Sequence, residues 1–273
     1  MGLEGKLEIV GVTDVGRKRS HNEDAIGSDM ESGLVVLADG MGGYQAGEVA
    51  SAIAVDTILD EFRVKLKDID TGEVDDESGY SKETLLIKAA IEKANDQIYE
   101  TAQSTPECHG MGTTVVAAGF YDNRLTVAHV GDSRFYRLRE GRLEQLTSDH
   151  SLLQELIDKG FYTPEEARKS LNKNLVTRAM GVELNVSPDV QEDFVNSGDI
   201  YLLCSDGLTD LVEDSEITLI LRACTNNLEE AGRALVEKAN DCGGKDNISV
   251  ILARTLKAFT AKKTWTSKVF DWF

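Results

Sequence analysis

The chain has 273 residues, with 29 Lys and Arg against 48 Asp and Glu, so its formal net charge is −19; 41% of its residues are hydrophobic, and 24 Gly stand beside only 3 Pro. That profile excludes a collagen, a coiled coil and a chain disordered throughout. A chain this acidic repels phosphate backbones at long range, which argues against a nucleic-acid binder, yet it can still handle an anionic substrate if divalent ions consume its carboxylates.

In chain order, residues 7–13 read as a strand, and residues 34–38 form a buried apolar run that ends in Asp39-Gly40. Val49, Ile53, Leu59 and Phe62 fall on one face of a helix over residues 47–62, and Ile87, Ile91, Ala94 and Ile98 do the same for a second helix. Between them the acidic stretch 68–78 reads as a solvated loop. Residues 113–120, 124–130, 134–139 and 142–146 are strand-like and are parted by the turn pairs Asp122-Asn123, Gly131-Asp132 and Glu140-Gly141, a spacing that predicts an antiparallel meander. Two short helices, 151–159 and 164–170, carry few large apolar residues and are expected to form a mobile surface flap. Strands follow at 190–195 and 200–204, helices at 215–224 and 228–240, and a last strand at 248–254. Strands and helices arriving in blocks favour packed sheets covered by helices over a repeating βαβ unit.

No apolar run approaches the ~20 residues of a membrane span. The opening Met1-Gly2-Leu3-Glu4 lacks the basic and apolar segments of a signal peptide, and Lys6 stands where myristoylation after Gly2 expects Ser or Thr, so cytoplasmic residence is expected. Cys108, Cys204, Cys224 and Cys242 form no C-x-x-C pair and read as reduced, structural thiols.

The chemistry gathers at four points: Asn22-Glu23-Asp24 preceded by Arg17, Lys18 and Arg19; Asp39-Gly40-Met41-Gly42-Gly43; Ser205-Asp206-Gly207; and Gly243-Gly244-Lys245-Asp246-Asn247. Any one Asp-Gly is ordinarily a turn. Several at strand ends can meet at one rim, where glycine lets the backbone approach an ion and lend a carbonyl. Four carboxylates in one cleft raise one another's pKa unless cations balance them. Oxygen ligands without His or Cys select Mg²⁺ or Mn²⁺ over Zn²⁺. Two such ions about 4 Å apart would activate a water toward a phosphoryl group, and the basic cluster supplies a guanidinium to hold phosphate oxygens.

Taken in order, T-D-x-G-x-x-R-x-x-N-E-D (13–24), A-D-G-M-G-G (38–43), G-M-G-T-T (110–114), G-D-S-R (131–134), L-T-x-D-H-S (146–151), T-R-A-M-G (177–181), S-D-G-L (205–208) and G-x-D-N-I (244–248) resemble the bacterial branch of the metal-dependent protein phosphatases, the type 2C or PPM family. The resemblance spans about residues 7–255. It implies an α+β fold, a four-layer α-β-β-α sandwich of two antiparallel sheets, and hydrolysis of phosphoserine and phosphothreonine in proteins by metal-activated water. It further implies that Asp39 bridges two Mn²⁺ or Mg²⁺ ions, Gly40 lends its carbonyl, Asp206 and Asp246 hold the second ion, and Glu23 and Asp24 act through waters. Asp132 with Asp206 would take a third ion near the flap, Arg19 would bind phosphate, and Asn247 would support Asp246. A cognate Ser/Thr kinase is implied as a partner, and a monomer is expected.

Family members often carry a His in the loop after the metal-bridging Asp, directly after D-G or just after D-G-M-G-G, assigned as general acid; here Met41 and Tyr44 occupy those two places, which leaves a metal-held water or Tyr44 as the proton donor. His129, in an apolar strand, reads as a hydrogen-bonded core residue. A P-loop is absent, and a binding module without activity would be expected to have lost a metal carboxylate. The catalytic domain is drawn at 1–257 with its flap at about 148–187. The tail, 258–273, carries Lys262, Lys263 and Lys268 with Trp265, Phe270, Trp272 and Phe273 and is expected either to contact a partner or anionic membrane surface or to pack back on the domain.

Overall fold

The structure, a computed structural model, describes residues 3–42, 46–163, 166 and 175–260. Among these, the strands form two antiparallel sheets. One runs in the order β1 (Leu7–Asp14), β11 (Ile248–Thr255), β10 (Ile200–Cys204), β7 (Arg134–Arg139), β8 (Arg142–Gln145). The other runs β2 (Asp24–Asp29), β3 (Leu34–Met41), β5 (Val115–Tyr121), β6 (Arg124–Val130), β9 (Asp189–Phe194), with the short β4 (Gly112–Thr113) pairing with β3 off this path.

Strand alternation sets the layers. Leu34, Val36 and Ala38 of β3 face helices α1 (Ala46–Lys65) and α2 (Lys82–Ser104), where they pack with Ala50, Ala54, Ile58, Ile87 and Ile91. The alternate residues Val35 and Leu37 face the second sheet and join Val116, Phe120, Phe135, Tyr201, Leu203 and Ile251. Ile200, Leu202 and Cys204 of β10 point outward to α5 (Asp214–Ala223) and α6 (Leu228–Asp241), meeting Ile217, Leu221 and Leu235. The result is the α-β-β-α sandwich that the resemblance implied. Helix starts follow local capping: the side chains of Ser81 and Asn227 accept from the backbone N–H of Thr84 and Glu230 at the heads of α2 and α6.

One expectation is corrected. The four strands from 113 to 146 are not one meander. Asp122-Asn123 and Glu140-Gly141 do close two-residue hairpins, with positive φ at all four residues. Gly131-Asp132 instead carries the chain from β6 in one sheet to β7 in the other, because β6 pairs with β5 and β9 while β7 pairs with β10 and β8. A Cβ on Gly131, whose φ is +110°, would lie 2.5 Å from the Thr114 Cβ, so the crossing requires glycine. The sequence reading also missed β2, β4 and the four-residue helix α4 (Asp206–Thr209). β2 reads D-A-I-G-S-D, with too few apolar residues to show a strand period.

Cys108 and Cys204 are buried, Cys224 is partly buried and Cys242 is exposed, all as free thiols. The acidic stretch folds as turns with Asp76 and Glu77 exposed. Ser151 heads α3 (Leu152–Asp158), accepting from Gln154 N. The expected helix over 164–170 lies outside the described residues apart from Glu166, and the tail beyond Thr260 lies outside them altogether. Phe259, two residues past the boundary drawn at 257, is buried among the residues between the sheets, and its N–H donates to Asn123 Oδ1 at 2.6 Å. No helix among the described residues is long and apolar enough to cross a membrane.

Candidate metal centre

Antiparallel pairing brings one set of strand ends to a common rim between the sheets. β1 ends beside the start of β11, with Asp14 opposite Ile248, and β10 ends beside β11 and the start of β7, with Cys204 opposite Val250 and Arg134. Asp24 at the head of β2 is paired with Asp39 near the end of β3, so both side chains share the face toward the opposite sheet. Asp206 follows β10, Asp246 precedes β11 and Asp132 precedes β7, all on the same rim. The sequence nominated these carboxylates from separate motifs; pairing across the two sheets collects them.

Their fields meet. Asp39 is lifted well above the usual carboxylate range, first by loss of water and then by Asp24, Asp206, Asp132 and Asp246. Asp206 is lifted likewise by desolvation, Asp132, Asp210, Asp246 and Asp24. Burial pushes Asp24 up to about 6, and burial with the charge of Asp149 does the same to Asp132. Desolvation and Asp246 lift Glu23, opposed by Arg19. One oxygen of this group, Asp24 Oδ1, is buried with no hydrogen-bond partner among the described residues. Carboxylates held at high mutual cost, with an acceptor left orphaned, are a donor set for hard cations.

Backbone close approach completes the cradle. The Gly40 N–H donates to Glu23 O at 3.1 Å, and a Cβ on Gly40 would collide with the Gly47 carbonyl and lie 2.5 Å from Glu23 O. A Cβ on Gly47 would sit 2.7 Å from Glu23 Oε1. Bare backbone at both positions lets α1 begin against the end of β3 and leaves Gly40 without a side chain at the rim. Gly16 does the same for the loop carrying Arg19: its φ is +78°, and a Cβ there would strike the Asp246 carbonyl. Gly244 O accepts from both Arg17 N (2.7 Å) and Lys18 N (3.1 Å), fastening that loop to the one before β11.

Arg19, rather than Arg17, reaches the carboxylates. Its Nη2 donates to Asp246 Oδ2 at 2.7 Å, and that bond, with the charges of Glu23 and Asp39 behind it, raises the guanidinium pKa further. Asn247 is buried and binds three backbone groups: Oδ1 accepts from Glu23 N at 2.8 Å, and Nδ2 donates to Val15 O and His21 O at 3.0 and 2.9 Å. The backbone N–H of Asn247 donates to Asp246 Oδ1 at 2.9 Å. His21 itself is exposed and contributes its carbonyl to this staple.

Several rim residues escaped the sequence reading although their motifs were recognised. Ser205 Oγ donates to Asp24 Oδ2 at 2.9 Å and accepts from Ser249 N at 3.0 Å, tying the two sheets together at the site. Thr113 Oγ1 donates to Asp39 O at 2.9 Å, and Thr114 Oγ1 meets Ser133 Oγ at 2.7 Å. Arg134 forks onto Asp149, with Nε 3.0 Å from each carboxylate oxygen and Nη2 2.7 Å from Oδ2. Asp210, two residues past S-D-G-L, adds its charge to Asp132 and Asp206 and had no motif to announce it. His129 is the hydrogen-bonded core residue expected, its Nε2 2.8 Å from Ser148 O. Tyr44, the candidate proton donor, lies outside the described residues, and Met41 pairs with Gly112 across β3 and β4.

The sequence profile described as protein phosphatase 2C matches residues 15–241. The chain is 41% identical over 243 residues to the serine/threonine phosphatase stp of Listeria welshimeri, a match covering 88% of this chain and 92% of that protein. It is 37% identical over 249 residues to the protein phosphatase PhpP of Streptococcus pneumoniae, covering 90% and 96%. Its fold resembles the crystal structure of the Mycobacterium tuberculosis serine/threonine phosphatase PstP/Ppp with a TM-score of 0.82 at 36% identity, over 92% of this chain and 100% of that one. A PstP catalytic domain solved in complex with two manganese ions gives a TM-score of 0.78 at 36% identity, over 92% and 99%.

Proposed function

The chain belongs to the protein phosphatase 2C family, and on that premise we propose that it is a metal-dependent phosphatase that removes phosphate from phosphoserine and phosphothreonine in proteins, reversing a Ser/Thr kinase. The observation that carries this is the convergence of Asp24, Asp39, Asp132, Asp206 and Asp246 on one rim, at a mutual cost that divalent cations relieve. Asp39 would ligate two Mn²⁺ or Mg²⁺ ions and Gly40 would offer its carbonyl to one of them, Asp206 and Asp246 would hold the other, and Glu23 and Asp24 would act through waters. Asp132 with Asp206 would take a third. When bound, such ions would lower the pKa of a water enough for hydroxide to attack phosphorus at neutral pH, and would neutralise the charge that would otherwise repel a phosphate.

The chain's own groups do the rest. Arg19 turns from Asp246 to two phosphoryl oxygens, since a guanidinium fork fits them better than one carboxylate oxygen. Asn247 keeps Asp246 and the Glu23 backbone in register while Arg19 moves, and Ser205 fixes the orientation of Asp24. Residues 1–257 with Phe259 make up the catalytic domain, with its flap at about 148–187. The remaining tail is a docking segment for a partner or an anionic surface; unchanged localisation after truncation beyond Thr260 would remove that role. We further infer a cytoplasmic monomer acting opposite a cognate kinase. The test is phosphate release from a phosphothreonine peptide: strong with Mn²⁺, lost in excess chelator and lost in Asp206→Ala. Activity that survived either treatment would overturn the metal mechanism.

A further inference from the structure

Behind the rim, His150 sits at the neck of the flap and touches the Gly131-Asp132 crossing twice. Its backbone N–H donates to Gly131 O at 2.9 Å, and its ring Nδ1 accepts from Gly131 N at 3.1 Å. The neck itself is a short antiparallel pair: Ser151 bridges Val176, Leu152 N donates to Leu175 O, and Thr177 N donates to His150 O at 2.7 Å. The adjoining Asp149 is riveted to β7 by Arg134, so the segment carrying His150 is fixed from both sides. On the far side of the ring, Asp189 Oδ2 lies 3.2 Å from Nε2, and Asp189 is in turn paired with Arg178, whose Nη1 donates to Oδ1 at 2.7 Å.

The donor atoms of His129, His150 and Asp189 lie within 4.8 Å of one another, as in a metal site. The hydrogen bonding assigns the trio otherwise. A backbone N–H can only donate, so Nδ1 of His150 is the acceptor, and a neutral ring then carries its hydrogen on Nε2, which lies 3.2 Å from Asp189 Oδ2 but is buried without a hydrogen-bond partner among the described residues. Burial, with the charges of nearby His129 and Arg178, lowers the His150 pKa to about 4 and keeps the ring neutral. The His129 ring stacks on it at 4.5 Å and closes its face.

We propose that His150 is a positioning residue for the reaction: backed by the stacked His129 ring and the nearby Asp189 carboxylate, it clasps Gly131 on the other side and thereby couples the neck of the flap to the placement of Asp132. This rests on the reading of Asp132 as a flap-side metal carboxylate. Gly131 has no side chain to anchor it and a φ few residues adopt, so its place depends on its two backbone bonds to His150. The segment returning from the flap also meets the site directly, since Met180 exchanges backbone bonds with Thr113, which pairs with Gly40.

The test uses the full chain with His150→Ala, His150→Asn, Asp189→Asn and, as a check on the premise, Asp132→Ala. Asparagine sets its amide oxygen close to the place of Nδ1 and can still accept from Gly131. In His150→Ala, amide exchange at Gly131, followed by NMR in the metal-stripped protein, is expected to accelerate about tenfold or more, and the Mn²⁺ concentration for half-maximal activity to rise about tenfold, with a smaller change in kcat at saturating Mn²⁺. His150→Asn restores both toward wild type, and Asp189→Asn falls between. Unchanged Gly131 exchange in His150→Ala, or a His150→Asn as defective as alanine in both readouts, overturns the proposal. If alanine does not fold, the asparagine variants carry the test: Gly131 exchange in Asp189→Asn indistinguishable from wild type overturns the link through the ring. A wild-type Mn²⁺ dependence in Asp132→Ala removes the metal role of Asp132, while Gly131 exchange still decides the clasp. Uptake of Zn²⁺ by the metal-stripped protein that both His129→Ala and His150→Asn abolish would show Nε2 of His150 to be a metal ligand and overturn it as well.

Discussion

Asn247 binds three backbone groups of the segment that delivers Arg19 and Glu23, and it is buried. Asn247→Ala leaves a Glu23 N–H and two carbonyls without that partner and is expected to destabilise the protein by roughly 1–3 kcal/mol in urea unfolding, with weaker phosphate binding. A stability within a few tenths of a kcal/mol of wild type would show that the staple is dispensable. The carboxylates give a pH signature. Burial holds Asp24 and Asp132 at about 6, above the ordinary 3.8. The folded state therefore binds these protons more tightly than the unfolded chain; their contribution favours folding as pH falls below about 6 and is lost as pH rises through it. The metal-stripped protein should melt at higher temperature near about pH 5 than near about pH 7.5, and Asp24→Asn should narrow that difference. Mn²⁺ added at the higher pH should raise Tm, less so in the variant. An identical pH response in Asp24→Asn would exclude Asp24 as a source of the effect.

At the scale of elements, the site depends on how closely α1 starts against β3. Replacing a helical glycine by alanine ordinarily stabilises, by about 0.5–1 kcal/mol. Gly47→Ala is expected to do the opposite, because its Cβ would lie 2.7 Å from Glu23 Oε1 and 2.8 Å from the Gly40 carbonyl carbon. The overpacking penalty, about 1–3 kcal/mol, should appear as a lower urea midpoint together with weaker Mn²⁺ activation. A stabilised Gly47→Ala would mean that α1 can shift without harm to the rim. Helices α1, α2, α5 and α6 and the strongly apolar strands were legible in the sequence, since 3.6-residue spacing in α2 and continuous apolar runs in β5 and β10 are local properties. β2 was not, because its hold on the fold comes from pairing with β3 rather than from its own composition.

For the whole molecule, the net charge of −19 divides in two. The rim aspartates are balanced when metal is bound; the exposed remainder, including Asp76 and Glu77, stays and repels acidic substrates. Basic or neutral phosphopeptides should turn over faster than acidic ones at low salt, with the difference shrinking as the Debye length falls from about 30 Å at 0.01 M to about 10 Å at 0.1 M. Equal kcat/KM values at low salt would show that net charge has no bearing on substrate choice.

The sequence by itself determined the candidate chemistry: a set of carboxylates at strand ends, a basic cluster and glycines beside them, because those depend on residue type and short spacing, while the family resemblance singled out Arg19. The eight motifs also carried the family, and with it the layered fold. Only the tertiary structure decided which sheet each strand joined. That choice rests on pairing between residues far apart in sequence, and it turned Gly131-Asp132 from an expected hairpin into a crossing between sheets. It likewise decided that Ser205 would bind Asp24 and that His150 would clasp Gly131, contacts between side chains and backbone that no local pattern encodes.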